Sequence, residues 1–554
     1  MWSFNPFTLA TLTSLTLLTP TLALESWYTP PGGPPTGSGF NSTLNPSSTK
    51  IKGVNLGGWL ILENWMTPSI FGVAGLPGKG DEDSVMDEWG LCERLGKTRC
   101  EEVLEEHWES FYTEDDFKRM ADYGLNTVRI PVPYWIWNVT ESEPFITGSQ
   151  IPHLQRALNW SYVYGLDVIL DMHALPGSQS SYQVHTGLYA QEGFSNSTEN
   201  MDRALNAIEQ MVAEFTKPEY GGVVTAIELV NEPWIEAYMP NNMPWELLEE
   251  FMVKAYDVVR STEEIIPGRH EVMVIVHDAF GSLTDWTGGF FAPGGKGHNW
   301  TNYALDTHVY QAWSGITWDE GHIESACAQA SYLEEAQRSV PVIVGEFSLG
   351  VQTFCVDYKD CFNLTLADAL ANITSTGGDR DMFLRAFWEA QMHAYEHAAG
   401  WIFWNFKTEL APTWSYDQSV AQNWVPLDLA DRVWQYDASQ AYCLQNQNWS
   451  NIPDFTPNTP APLKDGTATP VREAMTLAVQ GALLNSTSTS ISTSATTTGS
   501  ATAIVTGASA SLTGTPSETG VPTSTGASNA ALRHLMTSPW TWLAVATSGI
   551  ILMT

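Results

Sequence analysis

Two glutamates stand where a chain could use them as a pair. Glu232 follows the apolar run 225–230 inside Asn231-Glu232-Pro233-Trp234, and Glu346 closes the β-branched run 341–346. A buried strand that ends in a polar tip and a proline delivers side chains to a surface. A glutamate after a strand is ordinarily a solvated loop residue. Here its neighbours suit a role: Asn231 can hydrogen-bond a hydroxyl, Pro233 stiffens the turn, and Trp234 offers an apolar face. Two carboxylates held together are the apparatus of glycoside hydrolysis.

The elements that must position them are legible as an alternation. Strand-like runs fall at 51–56, 126–132, 167–172, 223–231, 271–277, 303–308, 341–346 and 400–406. Between them, 154–164, 201–216, 245–261, 324–338 and 382–399 carry apolar residues at helical spacing. Strands alternating with helices predict βαβ units, and eight of them predict an α/β fold of the (β/α)8 TIM barrel type with long loops. Such a barrel gathers its working groups at the C-terminal ends of its strands, which is where both glutamates are expected. A last helix over 471–484 is expected to close the domain, whose span is 51–484.

Composition excludes several partners. With 62 Asp+Glu against 25 Lys+Arg, the formal charge is −37. Nucleic acid requires a basic footprint, so it is not expected as a partner. A neutral polysaccharide fits, and 24 Trp supply rings on which flat sugar faces stack. No zinc-protease helix, nucleophile elbow or phosphate loop occurs, so neither metal nor cofactor is expected. The acidic run at 81–83 reads as a solvated loop. A monomer is expected.

The flanks point outside the cell. Residues 1–23 read as a signal peptide and 24–50 as an extended lead-in. Nine sequons follow, at Asn41, Asn138, Asn159, Asn196, Asn299, Asn363, Asn372, Asn448 and Asn485. Six cysteines suggest disulfides; spacing favours Cys92–Cys100, Cys355–Cys361 and Cys327–Cys443. Residues 485–529 are mostly Ser, Thr, Ala and Gly and read as a disordered, O-glycosylated stalk. Small residues at 526–530, then a spacer and an uncharged tail, match a GPI-anchor signal over 530–554, with Ser528 or Asn529 as attachment residue and Gly526 also fitting. Membrane contact is expected through that anchor rather than a spanning helix, since the tail is short.

The ordered motifs resemble one family. Gly57-Gly58-Trp59-Leu60-Ile61-Leu62-Glu63 and Gly124-Leu125-Asn126-Thr127-Val128-Arg129-Ile130-Pro131 come first. Asp171-Met172-His173 with Pro176-Gly177-Ser178-Gln179, Asn231-Glu232-Pro233, His308-Val309-Tyr310, Gly345-Glu346-Phe347 and Trp401-Ile402-Phe403-Trp404 follow. The set is similar to fungal-type exo-β-1,3-glucanases of glycoside hydrolase family 5, from about residue 53 to 443. The resemblance implies a retaining mechanism with Glu232 as acid/base and Glu346 as nucleophile. It further implies that Arg129 and Tyr310 support Glu346, and that His173, His308 and Asn231 bind hydroxyls of the cleaved sugar. Trp404 is the implied apolar floor, and Glu63 the group at the closed end.

One stretch departs from the family. After Gln179 these enzymes usually continue Asn-Gly-Phe-Asp-Asn-Ser-Gly, whereas this chain reads Ser180-Ser181-Tyr182-Gln183-Val184-His185-Thr186-Gly187. Asn64 replaces the proline usual after the Glu63 position. The expected function is therefore a cell-surface retaining β-glucanase, releasing glucose from non-reducing ends of β-1,3-glucan. β-1,6-glucanase or transglycosylase activity with the same pair is the alternative, and a non-catalytic glycan-binding wall protein is the rival of another class.

Overall fold

A computed structural model of the chain describes residues 50–72, 85–353, 356, 364–373, 379–436 and 443. The signal, most of the lead-in, the 471–484 helix, the stalk, the anchor signal, Cys355, Cys361 and residues 81–83 lie outside the described residues. So do Asn41, Asn363, Asn448, Asn485, Ser528 and Asn529.

Eight parallel strands hydrogen-bond in chain order and close on themselves: β1 (Ile51–Asn55), β2 (Thr127–Pro133), β3 (Asp167–Ala174), β4 (Val224–Glu228), β5 (Met273–His277), β6 (Tyr303–His308), β7 (Val342–Glu346) and β8 (Gly400–Phe403). The expected barrel is the fold. Strand limits agree within three residues; the largest differences are at β8, which ends at Phe403 rather than 406, and at β4, which ends at Glu228 rather than 231. Glu232 therefore lies in the following loop, with a φ of 42°. Such a left-handed backbone costs a non-glycine residue about 1–2 kcal/mol and persists only when its surroundings hold it.

The five expected helices occur as Ile151–Tyr164, Thr198–Phe215, Trp245–Ile265, Asp319–Gln337 and Arg380–Tyr395. Three more, Glu88–Leu95, Lys97–Ser110 and Glu114–Asp122, stand before β2; the last carries one apolar face, burying Phe117 and Met120. The middle one is rich in charge and buries only Cys100, Val103, Leu104, His107 and Trp108. Two of the expected disulfides are formed, Cys92–Cys100 and Cys327–Cys443. The second ties the helix Asp319–Gln337 to residue 443 across a separation of 116 residues.

Side chains alternate in and out along each strand, so the barrel interior is layered. Its lower layer is apolar, with Ile51, Ile169, Ala226, Met273, Ile275, Ala304, Ile343 and Ile402 in one cluster. Two residues further along the same strands, the inward positions turn polar: Asp171 after Ile169, Glu228 after Ala226, His277 after Ile275, Asp306 after Ala304. All four are buried. The apolar floor thus excludes water beneath a belt of charge. A separate cluster of Trp65, Met66, Trp404, Leu410 and Trp414, with Tyr310 and Trp313 against it, flanks the mouth.

Candidate active site

Arg129 on β2 is the hub of the polar belt. It is fully buried. Its Nε donates to Glu228 at 2.7 Å, and one terminal nitrogen donates to Asn55 at 2.9 Å and to Glu346 at 2.8 Å. The other terminal nitrogen donates to Asn231 at 2.9 Å and sits 3.1 Å from Asp171. Burial opposes the guanidinium charge, but Asp171, Glu228 and Glu346 outweigh it and hold Arg129 cationic. A buried arginine is tolerated only when its donors are met, and here one cation faces three carboxyls.

Glu346, the last residue of β7, is fixed on both oxygens. Oε1 takes the Arg129 bond and Oε2 accepts from the Tyr310 hydroxyl at 2.7 Å. Gly345 beside it is a packing requirement: a Cβ there would lie 2.0 Å from Asp306, whose carboxylate accepts the Gly345 amide at 2.7 Å. His308 Nδ1 lies 2.7 Å from Glu232 Oε1 and 3.4 Å from Glu346 Oε2. One nitrogen therefore touches both carboxyls, which places these oxygens no more than about 6 Å apart. That bound lies below the roughly 6.5–9.5 Å of an inverting pair and is compatible with the roughly 5–5.5 Å of a retaining one.

Burial pushes both carboxyls of the pair up, and their environments then separate them. Glu346 has a guanidinium and a phenol donating to it. Glu232 has neither; burial, with Glu63 adding to it, pushes it up to about 8. Burial also drives His308 well below the usual imidazole range, with Arg129 and His173 adding to the effect, so it bridges the pair as a neutral ring. The arrangement can hold one charged and one protonated carboxyl at the same mouth, which is what double displacement needs.

The other expected residues converge here too. His173 Nδ1 lies 2.5 Å from Asp171, and its Nε2 is buried without a hydrogen-bond partner. Its ring is parallel to that of Trp404 at 5.5 Å. Trp404 in turn lies so close to Gly57 that a Cβ there would come within 2.5 Å of the indole, which accounts for glycine at that position. Glu63 accepts from Trp65 Nε1 at 2.9 Å, while its Oε1 is buried and unpartnered. Burial pushes this carboxyl up to about 7. The site thus gathers unpartnered polar atoms beside an indole, as a hydroxyl-rich ligand requires.

The family model described as Cellulase (glycosyl hydrolase family 5) matches residues 96–383. A relative from Aspergillus fumigatus named "Probable glucan 1,3-beta-glucosidase A" is 35% identical over 405 residues, covering 69% of this chain and 88% of its own. "Glucan 1,3-beta-glucosidase 1" from Schizosaccharomyces pombe is 31% identical, covering 73% and 93%. The chain belongs to glycosyl hydrolase family 5. It is a glycoside hydrolase. Among solved structures, rutinosidase from Aspergillus niger aligns with a TM-score of 0.54 at 22% identity over 68% of this chain and 97% of its own, a likeness of fold.

In this family 5 hydrolase several residues act in the site that motif reading did not single out. Asn55, Asp171, Glu228 and Asp306 build the belt around Arg129; for the three acids the signal was an inward position two residues beyond an apolar one. Gln179 braces the loop after β3: its side-chain amide donates to the His173 and Asn231 carbonyls, both at 2.9 Å. Ser180 donates its hydroxyl to the Glu232 carbonyl. These bonds hold the left-handed Glu232 in place. His185 reaches within 3.8 Å of Glu232, from the stretch that departs from the family. Glu232, His277 and His308 could also present ligand atoms to a metal, but all three already serve the polar belt or the carboxyl pair.

Proposed function

We propose that the chain is a retaining exo-acting β-glucan hydrolase that releases glucose from non-reducing ends of β-1,3-glucan. Glu346 is the nucleophile and Glu232 the acid/base. The observation that carries the reading is the His308 nitrogen in reach of both carboxyls, with the Arg129 guanidinium and the Tyr310 phenol donating to Glu346 and neither donating to Glu232. Glu346 attacks the anomeric carbon while Glu232 protonates the departing oxygen; Glu232 then takes a proton from water as the glycosyl ester is released. When Glu346 loses its charge in the ester, Glu232 ionises more easily, which suits its second task. Arg129 and Tyr310 steady Glu346, His173 and Asn231 bind hydroxyls, Trp404 packs against the sugar, and Glu63 takes hydroxyls at the closed end. The names of the relatives support the β-1,3 linkage.

The test is product analysis on laminarin, a β-1,6-glucan and a cellulose oligomer, following product size and anomer by NMR. β-Glucose from laminarin is the expected product. Oligomers refute exo action, α-glucose refutes retention, and cleavage of β-1,6-glucan alone moves the reading to that linkage.

The same proposal puts the enzyme at the cell surface, held by a GPI anchor. The apolar start, the 485–529 composition and the tail support it, as do Asn138, Asn196, Asn299 and Asn372, which are exposed sequon positions. Asn159 is half-buried on its helix. Release from membranes by a phosphatidylinositol-specific phospholipase is expected; retention after treatment refutes the anchor.

A further inference from the structure

His185 occupies a single turn, Val184–Thr186, in the loop after β3. It is 8% exposed, and its Nε2 is buried without a hydrogen-bond partner. Leaving a buried ring nitrogen unmet is costly, so the position calls for a partner that arrives with a ligand. That nitrogen faces Glu232 Oε2 at 3.8 Å. The distance is too long for a hydrogen bond between them. An oxygen seated off the line joining them comes within about 2.8 Å of both.

Which oxygen belongs there follows from Glu232. His308 occupies its Oε1 at 2.7 Å, so Oε2 is the atom free to exchange a proton with a substrate. The ring of His185 stands across that of His173 at 5.5 Å and 70°, which completes a wall of Trp404, His173 and His185. The loop is fastened well enough to hold it. The Trp89 amide donates to the Gly187 carbonyl at 3.0 Å, and the Ser181 amide to Asn242 at 2.9 Å. Gly187 has a φ of 73°, and a Cβ there would lie 2.1 Å from Trp135.

We propose that His185 is a second hydrogen-bond partner of the oxygen that leaves and later arrives at the cleaved bond. The inference rests on the roles proposed above for Glu232 and Glu346. In the first half, the bond from anomeric carbon to leaving oxygen breaks, the bond to Glu346 forms, and the Glu232 proton moves to that oxygen beside His185. In the second half, a water or sugar hydroxyl enters the same place and bonds to the anomeric carbon as the bond to Glu346 breaks, freeing its carboxylate, and the incoming oxygen gives its proton to Glu232. His185 stays neutral throughout and gains or loses no proton. Its effect is on leaving-group and acceptor selection, and therefore on the partition between water and sugar acceptors.

The test uses the full chain carrying His185→Ala or His185→Gln, with a laminari-oligosaccharide and with 2,4-dinitrophenyl β-glucoside, whose leaving group departs without a proton. For the alanine variant kcat/KM on the oligosaccharide is expected to fall about 10–100-fold. On the dinitrophenyl substrate kcat/KM is expected to stay within about threefold, with glutamine restoring part of the oligosaccharide rate. The ratio of the two substrates is the readout, because a ring that only packs lowers both equally when removed. Equal losses, or no loss on the oligosaccharide, overturn the proposal; an unfolded alanine variant hands the same comparison to the glutamine variant. Failure of the parent reading shows separately, as a wild-type chain inert on both substrates, and it takes this proposal with it.

Discussion

Replacing Tyr310 with phenylalanine exchanges one hydroxyl for a hydrogen and changes little else. The ring sits 5.1 Å from Trp414 and 5.8 Å from Trp313, so phenylalanine fills the same volume. What is lost is the 2.7 Å bond to Glu346 Oε2. A hydrogen bond to a charged acceptor contributes about 1.5–3 kcal/mol. Because that bond favours the ionised carboxyl, its loss lets Glu346 take a proton more readily. At about 1.4 kcal/mol per unit, the acid limb of the kcat/KM profile is expected to move upward by about 1–2 pH units. Oε1 stays on Arg129, so the effect is a displaced limb rather than a dead enzyme. Below the new limb the rate falls about 10–100-fold, and above it the difference narrows. The assay is kcat/KM on an aryl β-glucoside from roughly pH 3 to 8, read as apparent values of the coupled pair. An acid limb that stays in place would refute the reasoning. It would mean either that the phenol does not hold Glu346 in the working enzyme or that Glu346 does not set the limb.

Glu346→Ala is expected to abolish turnover while leaving fold and sugar binding; retained turnover removes Glu346 from its role, and binding is followed by calorimetry. Gly57→Ala should force the Trp404 ring aside, since the added methyl would sit 2.5 Å from it, and raise KM for oligosaccharides roughly tenfold at a cost of about 1–3 kcal/mol in stability. An unchanged KM with an unchanged melting temperature refutes that packing. Stability should fall as pH rises from 5 to 8. Burial pushes Glu63 and Glu409 up to about 7 and Glu88 up to about 8, so the folded chain keeps protons that the unfolded chain releases above the ordinary 4.5. Their contribution is full below that ordinary value and is lost as pH climbs through the folded ones; a melting temperature that rises over this interval contradicts the assignment.

The barrel and the meeting of the two glutamates were legible because buried parallel strands are apolar runs with abrupt polar ends. The helix Lys97–Ser110 was not, since its few buried side chains are scattered among charges. Glu232 was placed at a strand end, yet it lies four residues beyond Glu228, because the turn is held by Ser180 and Gln179 from another loop. No local pattern encodes that. Asp171 and Glu228 look like ordinary strand residues until the closed barrel brings them to one guanidinium. His185 had only one signal, its place in a stretch unlike the family, and spacing alone could not aim it at Glu232.

The guanidinium of Arg129 also works as a gauge. It measures from β2 to β1, β3, β4, β7 and the loop after β4 at once, with every reach fixed by a bond of 2.7–3.1 Å. A change in barrel radius or strand tilt cannot satisfy all of them, and the misfit is passed to the Glu346 carboxylate. Substitutions in the apolar floor, at Ala226 or Ala304 for example, should therefore register in the nucleophile although no sugar comes near them. For anyone redesigning this enzyme, the barrel interior is part of the tuning mechanism, and the alanines at its base are the fine adjustment.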